Sequence, residues 1–182
     1  MDNVINDALN KLNDLLSKAN LDDVSSESSG FSDLPDGYYL CEVDKAEIKE
    51  SKNTKNPMIS FKMKVVEDGY IVKMNKDDEP YFERAKSTKH RCIFIHFVIK
   101  DEASVKRFAS DMLKFEGDTP GESLLPKEAF MTSDTLEDSL DLLLGMNIYV
   151  QVSTTEKDDG TKSTWNNFIS WKRAGTMGLP VD

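Results

Sequence analysis

The sequence predicts a mainly β protein with helical insertions, an α+β fold, and three observations carry that prediction. Stretches with a two-residue apolar period recur from Gly37 onward. Helical spacing is confined to the first twenty or so residues and to the region from Asp101 to Gly145. Two further alternating runs then close the chain, so three strand regions precede the helical material and two follow it. That is the element order of a five-stranded OB-like barrel, with its helices between strands three and four.

The first element is helical. Val4, Ile5, Ala8, Leu9, Leu12, Leu15, Leu16 and Ala19 recur at helical spacing. Ile5, Leu9, Leu12 and Leu16 also form a short seam suited to a second copy or a protein partner, while docking on the chain's own barrel is the alternative. Residues 1–21 are thus expected to be an amphipathic helix, and the acidic, Ser-rich residues 22–33 a linker. The barrel is expected over 34–174 and a C-terminal tail over 175–182.

Leu34-Pro35-Asp36-Gly37 is a turn signal that opens the first strand. Tyr39, Cys41 and Val43 alternate with polar neighbours, the period skips near Lys45, and Ala46 and Ile48 resume it, which predicts a bulge or bend. A polar loop, Ser51 to Pro57, leads to a second strand in which Ile59, Phe61, Met63 and Val65 alternate with Ser60, Lys62 and Lys64. Glu67-Asp68-Gly69 signals a hairpin turn before Tyr70, Val72 and Met74. Lys76 to Lys89 reads as a long mixed-charge loop, or as a flap over a groove.

The third main strand runs from His90 to Lys100, with Ile93, Ile95, Phe97 and Ile99 on one face. His90, Cys92, Phe94, His96 and Val98 share the other face, so the strand is either covered on both sides or meets a ligand on the second. Asp101 caps a helix carrying Val105, Phe108, Met112 and Leu113; Ser133 or Asp134 caps another, ended by Gly145. Met146 to Ser153 and Thr164 to Trp171 are the closing strands, joined around Asp158-Asp159-Gly160.

The stretch LPDGYYLCEVDKAEIKESKNTKNPMISFKMKVVEDG resembles the opening of a family of phage and prophage proteins long described only as a domain of unknown function. The shared features are Pro35 and Gly37, Lys45-Ala46-Glu47, Lys49-Glu50-Ser51-Lys52, and Asn56-Pro57-Met58-Ile59. The runs Phe94-Ile95-His96-Phe97-Val98 and Trp165-Asn166-Asn167-Phe168 are also similar, so the likeness extends over roughly 34–173. That family is usually taken to hold single-stranded-DNA-binding proteins with an OB-like barrel. The resemblance implies a non-enzymatic protein of phage DNA replication or recombination.

Charge weighs on both sides of that expectation. The chain carries a net charge of −10, unlike a general nucleic-acid binder. Residues 45–107 nonetheless carry fifteen basic groups against ten acids. The flanking segments are strongly acidic, so the middle third is where a phosphate backbone would be attracted. Lysines that simply solvate an outward strand face are the plain alternative.

Chemistry other than binding finds no motif. His90, Cys92 and His96 share a strand face, but an extended strand advances about 6.6 Å every two residues, which sets the histidines on the order of 20 Å apart. Two ligands of one zinc lie within roughly 4 Å of each other, so no metal site is expected. There is no Gly-x-Ser-x-Gly elbow, and Gly117-Asp118-Thr119-Pro120-Gly121 lacks the Lys-Ser/Thr of a phosphate loop. No enzyme activity and no cofactor are expected. No apolar run approaches the roughly 20 residues needed to span a bilayer, no leader is legible, and Cys41 and Cys92 form no disulfide framework. A cytoplasmic protein is the expectation.

Single strands are held by cationic grooves and aromatic platforms. The candidate contacts are Lys49, Lys52, Asn53, Lys55 and Asn56 around the first loop, with Lys62 and Lys64 on strand two. His90, Phe94 and His96 on strand three, Tyr149, and Trp165 complete the set, although a packed core role competes for each aromatic. The rival function is a phage-encoded protein that binds and inhibits a host nucleic-acid enzyme, such as an RNA-guided nuclease. Net acidity and the leucine seam favour that rival.

Overall fold

Alternation along Gly37–Glu50 produces β1, the longest strand, and it pairs with three others. The computed structural model describes residues 34–181. The expected helix over 1–21 and linker over 22–33 therefore lie outside the described residues. Antiparallel to β1 run β2 (Pro57–Val65) and, farther along the same flank, β3 (Tyr70–Met74). β6 (Asn147–Glu156) pairs with the first half of β1 and carries β7 (Lys162–Ile169) outside it. β4 (Pro80–Arg84) pairs with β3, and β5 (Cys92–Val98) pairs with β2.

The result is an antiparallel sheet of seven strands rather than five, with path β4-β3-β1-β2-β5 and with β6 and β7 branching from β1. The sheet is open: β5 and β7 share no ladder, although the Asn166 side-chain amide donates to the Phe94 carbonyl at 3.1 Å. The stretch Lys76 to Lys89, read from sequence as a loop, contains β4. The skipped period near Lys45 is a bulge, with the register shifting between Val43 and Lys45 so that Asp44 stands unpaired.

Helices fill the connections. α1 (Glu102–Met112) starts at Asp101, whose carboxylate accepts from the Ser104 amide while Ser104 Oγ accepts in return. A 3₁₀ turn (Lys127–Phe130) precedes α2 (Ser133–Asp141), whose cap is Thr132, one residue before the expected Ser133. Gly145 ends this region at φ 79°, a left-handed conformation that suits glycine. α3 (Trp171–Met177) follows β7 at once, so Trp171 opens a helix instead of ending a strand. Within the expected 175–182 tail, Leu179 is buried while Gly175, Thr176, Gly178, Pro180 and Val181 are exposed.

The core lies between the inner sheet face and α1, α2 and their connections. Tyr39, Cys41, Val43, Ile59, Phe61, Met63 and Ile95 are buried against Phe108, Met112, Phe115 and Leu140. Phe168 sits at the centre, edge-on to Phe61 and Phe115 and stacked with Phe97. Burial pushes the Tyr39 hydroxyl up to about 12, while it still donates to the Pro35 carbonyl. A second, smaller cluster forms on the outer sheet face, where Tyr149, Ile169, Ala174 and Leu179 pack with Tyr38, Tyr70, Phe82 and Trp171. The sheet is pinched close at β3: a Cβ on Gly69 would run into the Tyr39 ring and sit 2.9 Å from the Tyr38 carbonyl.

Candidate functional site

That second cluster divides the outer sheet face into a covered part and an open part. α3 lies over β6 and the end of β7, while the second half of β1 with β2, β5 and the start of β7 stays uncovered by a helix. Directly opposed residues of an antiparallel pair share a face. Ser60 therefore stands beside His96, Lys62 beside Phe94, and Lys64 beside Cys92. Lys45 and Glu47 continue these rows onto β1, as does Glu42 opposite Lys64.

Two aromatic side chains stand out on this face. Phe94 is 54% exposed between the buried Ile93 and Ile95, and Trp165 is 59% exposed on β7. The Asn166 bond to the Phe94 carbonyl brings the two strands together next to both residues. Trp165 is further fixed by its indole N–H, which donates to Thr155 Oγ1 at 3.1 Å. An exposed aromatic on a rigid strand loses little freedom on contact, which favours it as a stacking platform. Asn166 Oδ1 is buried and has no hydrogen-bond partner among the described residues.

Charge on the face is mixed. Lys62 pairs with Asp44 at 2.7 Å, although the bulge gives Lys45 the ladder position opposite Lys62. Their hydrogen bond holds the Asp44 carboxyl below its ordinary range and raises the Lys62 ammonium. Glu47 takes both Lys45 at 2.7 Å and Lys49 at 3.4 Å, and the Lys45 bond lowers its carboxyl. Four lysines (45, 49, 62 and 64) thus face three carboxylates (42, 44 and 47), leaving the open face close to neutral. The lysines expected to attract phosphate there are thus largely matched by neighbouring carboxylates. These pairs are exposed, and such pairs contribute at most about 1 kcal/mol each.

The other expected contacts divide similarly. In the β1–β2 loop, the Ser51 amide donates to the Asn56 carbonyl at 2.8 Å and Lys55 adopts φ 59°. Lys55 pairs with Glu50 at 3.1 Å, while Lys52 and Asn53 are exposed and Asn56 is half-buried. His96 Nδ1 lies 3.0 Å from Ser60 Oγ, and desolvation, followed by Lys49, lowers its pKa. His90 is not on the strand: it sits at φ 69° in the turn before β5, near Lys64 and Glu42. Tyr149 is a clear correction. It is 1% exposed beneath α3, edge-on to Trp171, with its hydroxyl donating to the Pro180 carbonyl at 2.9 Å. Alternation puts Tyr149 on the outer face as expected, but Trp171–Met177 is too short and glycine-containing to announce the helix that covers it.

Sites of other kinds have less to offer. Among the described residues no three His, Cys, Asp or Glu side chains are placed to hold a metal ion, and no helix is long and apolar enough to cross a membrane. A groove of about 230 Å³ between α1, α2 and the start of β2 is lined mainly by apolar side chains, including Val105, Phe130 and Met131. It gathers no carboxylate, imidazole, amine or thiol, and its polar lining is Thr132 and Ser133.

Fold and site together define an antiparallel β protein with one open, aromatic-bearing sheet face. Residues 21–86 match the model of a family described as "Protein of unknown function (DUF669)". The matched segment spans β1 to β4, and the family's description names no activity. No curated protein matches the chain.

Proposed function

We propose that this protein binds single-stranded DNA, without catalysis, on the open face of β2, β5 and the start of β7. The observation that carries the proposal is the pair Phe94 and Trp165, both more than half exposed where Asn166 bridges β7 to β5. Lys62 stands opposite Phe94 with Lys64 two residues along the same strand, and base–aromatic stacking contributes about 1–3 kcal/mol per base. The strand order supports an OB-like reading: β1, β2 and β5 on one side and β6 with β7 on the other, with helices between β5 and β6. In such barrels the face of the second and third strands and the first loop take the nucleic acid, here β2, β5 and Ser51 to Asn56. A role in phage DNA replication or recombination follows from the sequence resemblance.

Because lysines on this face are largely paired, base stacking carries more of the affinity than phosphate contact. The test is fluorescence anisotropy of labelled oligothymidylate against the full chain, with duplex DNA and RNA alongside, at two salt concentrations. Preferential binding of single strands with a shallow salt dependence is the expected result. Equal binding to duplex, or no binding, would end the proposal.

A second reading is favoured by the same ion pairs. A near-neutral face on an acidic protein suits a protein partner, such as a host nucleic-acid enzyme that the chain would inhibit. Removing residues 1–30 tests the form of this reading in which the leucine seam holds the partner: that partner is then lost, while DNA binding by the sheet persists.

A further inference from the structure

β4 closes one end of the sheet path, and among the described residues no strand pairs with its other side. In the β3–β4 ladder the Asn75 amide donates to Glu79 at 2.9 Å and the Ala85 amide to Gly69 at 2.8 Å. With the register Lys73–Tyr81 and Ile71–Glu83 between them, these four pairs bond to each other through their main chains. The alternation then turns the N–H and C=O groups of Phe82 and Arg84, and the carbonyl of Pro80, toward the unpaired edge. The same hairpin exposes Val72 by 48% and Met74 by 59%. Exposed apolar side chains next to an unpaired strand edge form a template for a further strand.

Charge identifies that strand. Asp77, Asp78 and Glu79 precede β4, while Lys86 and Lys89 follow it. Opposite signs at the two ends attract when the segment meets itself antiparallel. We propose that two copies of the chain associate edge to edge through β4, about a two-fold axis at Phe82. Each Phe82 then exchanges both main-chain bonds with Phe82 of the second copy, and each Arg84 amide donates to a Pro80 carbonyl. Asp78 and Lys86 lie just beyond the two strand ends, so the acidic turn of each copy comes near the basic segment of the other. A row Val72–Phe82–Phe82–Val72 crosses the seam and covers the exposed valines, and the Arg84 stem lies across Pro80 from Met74. An axis at Arg84 would instead oppose two guanidinium groups, and one at Pro80 would lose both central donors. Pro80, the first residue of β4, removes only one seam bond on each side of the Phe82 axis.

The proposal does not depend on nucleic-acid binding. It is tested by sedimentation velocity of the full chain over a dilution series, with Lys86→Glu, Asp78→Lys and the double variant. Both positions are exposed, and the left-handed conformation of Asp78, φ 59°, is one that Lys55 already adopts in this chain. A concentration-dependent dimer is expected for the parent. Each single variant should weaken it by roughly tenfold through like charges across the seam, and the double variant should restore it. A monomeric parent, unchanged association in the single variants, or failure of the double variant to recover would each overturn the proposal.

Discussion

Replacing Phe94 and Trp165 by alanine, singly and together, probes the proposed stacking face where it is most exposed. Neither ring belongs to the buried core, at 54% and 59% exposure, so little packing is lost with them. Phe94→Ala exchanges a good strand former for a poorer one at a cost below about 1 kcal/mol. Trp165→Ala also removes the hydrogen bond to Thr155, which at an exposed site adds about 0.5 kcal/mol. Stacking of about 1–3 kcal/mol per base means that each variant should weaken oligothymidylate binding by roughly 5- to 150-fold. The assay is anisotropy of the labelled strand, with a urea titration of each variant to show that stability is retained. The chain has two tryptophans, so a Trp171→Phe background isolates the Trp165 emission, which stacked bases should quench. Parent-like affinity in the double alanine variant would refute the stacking argument.

Other expected outcomes follow from the core and from titration. Phe168→Ala, at the centre of the aromatic cluster, should destabilise the fold by about 3–5 kcal/mol in a urea titration. Gly69→Ala should cost about 1–3 kcal/mol, since its Cβ meets the Tyr39 ring. Tyr149→Phe should cost about 1 kcal/mol through the lost bond to Pro180 and leave oligothymidylate affinity unchanged, because this residue lies beneath α3. His96 has its pKa lowered in the folded chain by desolvation, then by Lys49, so the unfolded chain binds more protons just below the ordinary histidine value of about 6.5. Its contribution to stability is therefore complete above that value and is lost as pH falls through the window between the unfolded and folded pKa. The urea midpoint should fall more for the parent than for His96→Gln between about pH 7.5 and 5.

Much of the sheet was legible because its periodicity is local. Tyr39, Cys41 and Val43 give β1 its inner face, and the skip before Ala46 marks a real bulge. The second face of β5, read as covered or as meeting a ligand, is exposed at Cys92, Phe94 and His96. β4 was hidden because Pro80, Glu83 and Arg84 read as loop, while Phe82 finds its partners in Tyr38 and Tyr70 from other strands. The fate of the lysines was not legible either. Asp44 meets Lys62 across two strands whose pairing register no local pattern sets, and Lys55 meets Glu50 through a left-handed turn residue. The approach of Asn166 to Phe94 joins residues far apart in sequence, beyond the reach of any local pattern.

Photo-cross-linking of oligothymidylate to the full chain, followed by mass mapping of the attached residues, tests most directly where single strands are held. Binding on the open face predicts adducts at Phe94 and Trp165 and on neighbouring positions of β2. Adducts confined to α3, or to the β3–β4 hairpin, would contradict it.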